Sequence, residues 1–214
     1  MKYLLGMIGI VVLFTCSGIA QTDSLSSSSS KTAEIQLWGG IAFPYLPQEY
    51  RTYWKTGYNF GGGFGFSLDP GEVGYGAFYA TIEYARANFD AKGYTDSLRH
   101  TYANDTAFAG PVKIMNYMVN FKGTFSSTKK SIAPYFLLGV GYMYFTQAQI
   151  VVLNDPSHNV AGINKGGISW TVGVGVEVPI SDKARGFIQA KSLLGATDPQ
   201  RQYFPITAGI TYIL

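Results

Sequence analysis

Cysteine is nearly absent: the 214-residue chain has one, Cys16. If the first twenty residues are removed, no disulfide and no thiol chemistry remain. Histidine is almost as rare. His100 and His158 are the only two, too few and too far apart to suggest a metal site. Charge is sparse as well, at 14% Asp, Glu, Lys and Arg against ~25% in ordinary soluble domains. The net charge of +3 is scattered along the chain, so there is no basic stripe and no footprint for nucleic acid. Beyond the leader no apolar run reaches the ~18 residues that a helical membrane span needs.

The first residues have the layout of a secretory signal. Lys2 supplies the positive end, residues 3–14 an apolar stretch, and Gly18-Ile-Ala20 a small-x-small cleavage site. Leu13-Phe-Thr15 before Cys16 fits a lipoprotein site poorly, so Cys16 is expected to be lost with the leader. Residues 21–32 hold six serines and read as a flexible polar tail. This gives a signal peptide over 1–20, a Ser-rich tail over 21–32 and one domain over 33–214.

What the chain does have is aromatics, glycine and a period of two. It carries 26 Gly, 16 Tyr and 14 Phe. In the last ten residues, Ile206, Ala208, Ile210, Tyr212 and Leu214 alternate with Thr207, Gly209, Thr211 and Ile213. Tyr58, Phe60, Gly62, Phe64, Phe66 and Leu68 alternate with Asn59, Gly61, Gly63, Gly65 and Ser67. Similar alternation begins near residues 35, 78, 115, 134, 168 and 188, which makes eight strands. The connections after the second, fourth and sixth strands are short, as in Asp69-Pro-Gly-Glu72 and Ser181-Asp-Lys183. Those after the first, third and fifth are long. Short turns on one side and long loops on the other predict an all-β fold, an eight-stranded antiparallel transmembrane β-barrel in an up-and-down meander. Both ends of the chain then fall on the short-turn side.

Side-chain volume decides which face points outward. An eight-stranded barrel is just wide enough for side chains to fill it. The Gly, Ser, Thr and Asn faces fit such a bore, and the Phe, Tyr, Val and Leu faces do not. Apolar faces pointing outward suit lipid and not water. A soluble lipocalin-like barrel would need the reverse, with charged residues outside.

Three segments carry a family likeness. Ala133-Pro-Tyr-Phe-Leu-Leu-Gly-Val-Gly-Tyr142, Gly173-Val-Gly-Val-Glu-Val-Pro179 and Tyr203-Phe-Pro-Ile-Thr-Ala-Gly-Ile-Thr-Tyr212 resemble successive strands of the small outer-membrane β-barrel family that includes outer-membrane proteins A and X. The order and spacing of these motifs extend the likeness over the whole mature chain. It implies a bacterial outer-membrane protein with both termini periplasmic, set in outer-membrane lipid and lipopolysaccharide. It also implies recognition of the C-terminal strand by the barrel-assembly machinery. The final residue is Leu214, where that family often ends in Phe.

Chemistry-bearing residues are few. Glu34, Glu83, Lys122, Glu177 and Lys191 fall on the small-residue faces and are expected inside the barrel. Adjacent strands suggest the pairs Glu83–Lys122 and Glu177–Lys191, which would act as a polar plug or a gate. Trp38, Tyr58, Tyr84, Tyr144, Trp170 and Tyr212 are expected as aromatics at the membrane interfaces. His158 with Ser157 and Asp155 makes a triad on paper only, because adjacency in sequence is not catalytic geometry. No catalytic residue, cofactor or metal is expected. The expected role is structural or surface-interacting, as a monomer, with the long loops available to an extracellular ligand. A narrow channel for small or hydrophobic solutes is the alternative. A lipid-modifying outer-membrane enzyme is the distant one.

Overall fold

The computed structural model describes residues 32–68, 75–99, 106–125, 132–153, 157 and 159–214. The leader, nearly all of the Ser-rich segment, His100, Asp155 and His158 lie outside them. The chain runs β1 (Thr32–Leu46), α1 (Gln48–Tyr53), β2 (Gly57–Leu68), β3 (Gly76–Ala87), α2 (Ala91–Arg99), β4 (Ala107–Ala109), β5 (Val112–Thr124), β6 (Ala133–Gln147), β7 (Ile150–Val152), β8 (Ile163–Ser181), β9 (Ala184–Gly195) and β10 (Arg201–Ile213). Eight of these strands close in the order β1-β10-β9-β8-β6-β5-β3-β2, all antiparallel. First and last strands pair directly, from Glu34 opposite Ile213 to Phe43 opposite Phe204. Closure leaves no strand edge in the wall.

The pleat sorts residues by parity. Leu37, Val119, Val174, Ile188 and Ile210 point out and are 52–65% exposed. Trp38, Asn120, Glu177, Gln189 and Thr211, of the opposite parity, point in and are buried. The outer surface is thus a continuous band of Ile, Val, Leu, Phe and Tyr. No helix among the described residues is long and apolar enough to cross a membrane. The wall itself has the length to do so: its strands have 12 to 19 residues, and a tilted spanning strand needs ~9–11.

The loop end is closed by an apolar plug. Tyr50 of α1 descends among Val112, Ile114, Met143, Phe145 and Leu193. Its ring lies 5.8 Å from that of Phe145, and burial raises its phenol's pKa above the usual range. A backbone bridge joins Trp54 to Phe89. Lys55 reaches Asp90 at 3.2 Å. The Gly93 N–H and Lys55 together hold the Asp90 carboxyl below its ordinary pKa. Among the described residues the long connections carry structure of their own: a short helix in the first, a helix and a strand in the second, a strand in the third. β4 and β7 pair into a small ribbon.

Glycines on the inner face make room for the bulky residues opposite them on the neighbouring strand. A Cβ on Gly61 would stand 2.6 Å from Trp38 Cζ2 and 2.6 Å from the Ile82 carbonyl oxygen. One on Gly175 would stand 2.4 Å from Tyr135 Cζ. Gly61→Ala is therefore expected to destabilise the barrel by about 1–3 kcal/mol, read as a lower urea midpoint in detergent. Gly39→Ala, on the outer face with its nearest atom at 3.8 Å, is the control. Equal midpoints would contradict this account of the inner glycines.

Candidate functional site

The bore holds two tiers of buried charge below the plug. The tier nearer the short turns begins with Glu34, which enters from β1 beside the start of the wall. Arg185 of β9 pairs with it, and the Tyr79 hydroxyl donates to its second oxygen. Arg185 also approaches Glu177 of β8 at 3.5 Å. Lys122 of β5 donates to Glu177 at 2.7 Å. Tyr75, just before β3, donates to Glu177 and accepts from Arg185. The Lys122 ammonium also lies 5.1–5.6 Å from the ring centroids of Tyr79, Tyr135 and Tyr75, a cage favourable to a cation.

The second tier lies nearer the plug. Glu83 of β3 pairs with Lys191 of β9, directly across the bore. Trp38 Nε1 donates to Glu83 at 3.1 Å and the Tyr203 hydroxyl donates at 2.9 Å. Asn116 Nδ2 donates to that hydroxyl at 2.5 Å. The Lys191 ammonium sits 5.0 Å from the Trp38 ring. A cavity of about 20 Å³, edged by Gln36, Thr81, Asn120 and Gln189, lies against Trp38, Tyr79 and Lys191. It has room for about one water.

The three acids and three bases of these tiers are buried and sum to zero charge. A charge removed from water is tolerable only when paired and hydrogen-bonded, and every member here is. Above them, Arg201 is 4% exposed within the plug, its guanidinium 4.2 Å from the Phe145 centroid.

Glu34, Glu83, Lys122, Glu177 and Lys191 all lie in the bore, but their pairing differs from the expectation. The expected pairs Glu83–Lys122 and Glu177–Lys191 do not form. Neighbouring strands do not make neighbouring residues. Glu83 is opposite Asn116, six residues along β5 from Lys122, or ~20 Å at strand rise. Glu177 is opposite Phe187, four residues along β9 from Lys191. Partners instead meet across the bore at one level. Trp38 is a second correction. It is not an interface aromatic but points inward at 7% exposure, because it shares parity with Glu34 and Gln36. Tyr58, Tyr144, Trp170 and Tyr212 face outward and are 42–46% exposed. Tyr84 faces outward too, its ring 5.3 Å from that of Phe60.

Sequence reasoning missed Arg185, which joins both acids of the lower tier. The signal was present: parity carried back from Lys191 and Gln189 through Phe187 reaches it. Tyr75 and Tyr203 were missed as ligands of these acids because hydroxyls carry no pattern of their own. Ser157 is described but its paper partners Asp155 and His158 are not, and no group of His, Cys, Asp and Glu among the described residues could hold a metal.

Comparison with known proteins shows the fold. No protein-family model matches the chain, and no curated protein matches it in sequence. Solved structures do. The outer membrane protein OprG of Pseudomonas aeruginosa matches with a TM-score of 0.51 at 12% identity, over 87% of this chain and 98% of that one. The N-terminal β-barrel domain of Pseudomonas aeruginosa OprF matches with a TM-score of 0.50 at 10% identity, over 87% of this chain and all of that domain. The chain has the fold of a small eight-stranded outer-membrane barrel.

Lys122→Met leaves Glu177 with Arg185 as its one cation. The expected cost is about 3 kcal/mol, the low end for breaking a buried pair, measured by urea unfolding in detergent. A double-mutant cycle should couple Lys122 to Glu177 by more than 1 kcal/mol and leave Lys122 and Glu83 additive. Coupling to Glu83 instead would contradict the arrangement.

Proposed function

We propose that the protein is an integral outer-membrane β-barrel with a filled bore, a non-enzymatic scaffold that holds its long loops at the membrane surface. One observation carries this reading: a lipid-compatible outer wall surrounds an interior packed with neutralised charge. Residues such as Leu37 and Val174, each 64% exposed, would be costly in water and are favourable in a bilayer. The tiers of the bore support a structural role. Each buried carboxylate accepts from a cation and from a phenol or indole, which suits a tie between walls. The plug of Tyr50 and its neighbours supports a closed mouth. The ends of the wall at Thr32 and Ile213 both lie by the short turns, an arrangement suited to a barrel with both termini periplasmic. β10, whose pairing with β1 closes the wall, is the segment we propose for the assembly machinery to recognise.

The test is single-channel recording of the refolded protein in a planar bilayer. A silent bilayer with verified insertion is the expected result. Stable discrete openings would favour a narrow conduction path, and loss of those openings in Glu83→Ala would trace it through the upper tier.

A further inference from the structure

The outer wall holds a feature that the filled bore does not explain. At the loop side of β3 and β5, Arg86 stands directly opposite Lys113. Both have outward parity, Arg86 after Ile82 and Tyr84, Lys113 before Met115 and Tyr117. Like charges directly opposite on one face destabilise a sheet. Neither makes an ion pair with a described residue. Glu83, three residues before Arg86, points into the bore and pairs with Lys191, and Asp90, four residues after it, is engaged by Lys55.

The surroundings point the same way. Tyr58 is opposite Arg86 on β2, and Thr146 is opposite Lys113 on β6. The outward row Tyr58, Arg86, Lys113, Thr146 therefore presents a phenol, a guanidinium, an ammonium and a hydroxyl, with no carboxylate among them. It spans three strand spacings, ~15 Å. One step toward the membrane the row becomes Phe60, Tyr84, Met115 and Tyr144. Elsewhere on the loop-side rim, the outward residues Phe43, Phe204 and Leu194 bear no charge. Arg86 and Lys113 thus stand side by side at the height where apolar surface gives way to loops, whereas other loop-side cations such as Arg51 and Lys165 lie over the Tyr45 ring and beside Asp198.

We infer that Arg86 and Lys113, flanked by Tyr58 and Thr146, seat the phosphate of an anionic lipid in the leaflet on the loop side. A guanidinium fork and an ammonium suit a phosphate. The aromatic row below suits the start of the acyl chains. The inference rests on the reading that the barrel spans a bilayer.

The test uses the refolded protein in phosphatidylcholine vesicles doped with phosphatidylglycerol, with bound lipid counted by native mass spectrometry after nanodisc transfer. Wild type should retain phosphatidylglycerol over phosphatidylcholine. Arg86→Gln and Lys113→Gln should each reduce that preference about fivefold, the worth of one cation at a membrane surface. Lys183→Gln, at a short turn, should leave it unchanged. An undiminished preference in the Arg86→Gln/Lys113→Gln double variant would overturn the site. Displacement of the lipid by millimolar inorganic phosphate would overturn lipid as its occupant. Insertion is read separately, by protease protection in pure phosphatidylcholine vesicles. Failure there would overturn the bilayer reading and this inference with it, whereas insertion without lipid preference would overturn the inference alone.

Discussion

Neutralisation of charge inside a narrow bore is the constraint on which the rest of the structure depends. In the two tiers three acids and three bases have left water, and each survives there through its partners. Lys191 on β9 and Glu83 on β3 tie opposite sides of the wall together. Arg185 joins two acids, one from β1 and one from β8. Such ties brace strands that face each other across the bore, where no backbone hydrogen bond can reach. They also fill the volume, so that packing and electrostatics impose the same geometry. The inner glycines follow from this, because a bore that holds Trp38, Tyr79 and Tyr135 needs bare backbone opposite them.

The two faces of the wall answer to different solvents. Outward residues are apolar over the middle of the wall, and Arg86 and Lys113 stand at its loop side. Inward residues are mixed over most of the bore, with a small apolar cluster of Trp38, Tyr135 and Phe187, and become mainly apolar at the plug. The change occurs where α1 brings Tyr50 into the mouth. A small protein usually places its core inside and its charge outside. Here the arrangement is reversed over most of the wall, as a lipid surround requires.

The fold was largely legible in the sequence because period two is a strong signal and loop length is easily read. The inward and outward faces followed from side-chain volume. The pairing of charges was not legible in the same way, since it depends on register and stagger around a closed barrel. Strand order alone put Glu83 beside Lys122, whereas register puts them ~20 Å apart. Trp38 was misread because residue type was allowed to outweigh parity: tryptophan suggests an interface, yet its position in β1 matches Glu34. Arg185 was lost because the weakest strand was begun too late. The helices within the long loops left no period that six- and nine-residue segments could display.

The seam between β1 and β10 has a consequence for how the molecule is made. Every other junction in the wall joins strands consecutive within the barrel, which can pair as each emerges. The seam joins residues as far apart as Glu34 and Ile213, and contacts of such separation form slowly. Until they form, β1 and β10 are both open edges flanked by apolar side chains, a template for wrong partners. The assembling chain is therefore most vulnerable just before it is complete, and the protection it needs is protection of two particular strands.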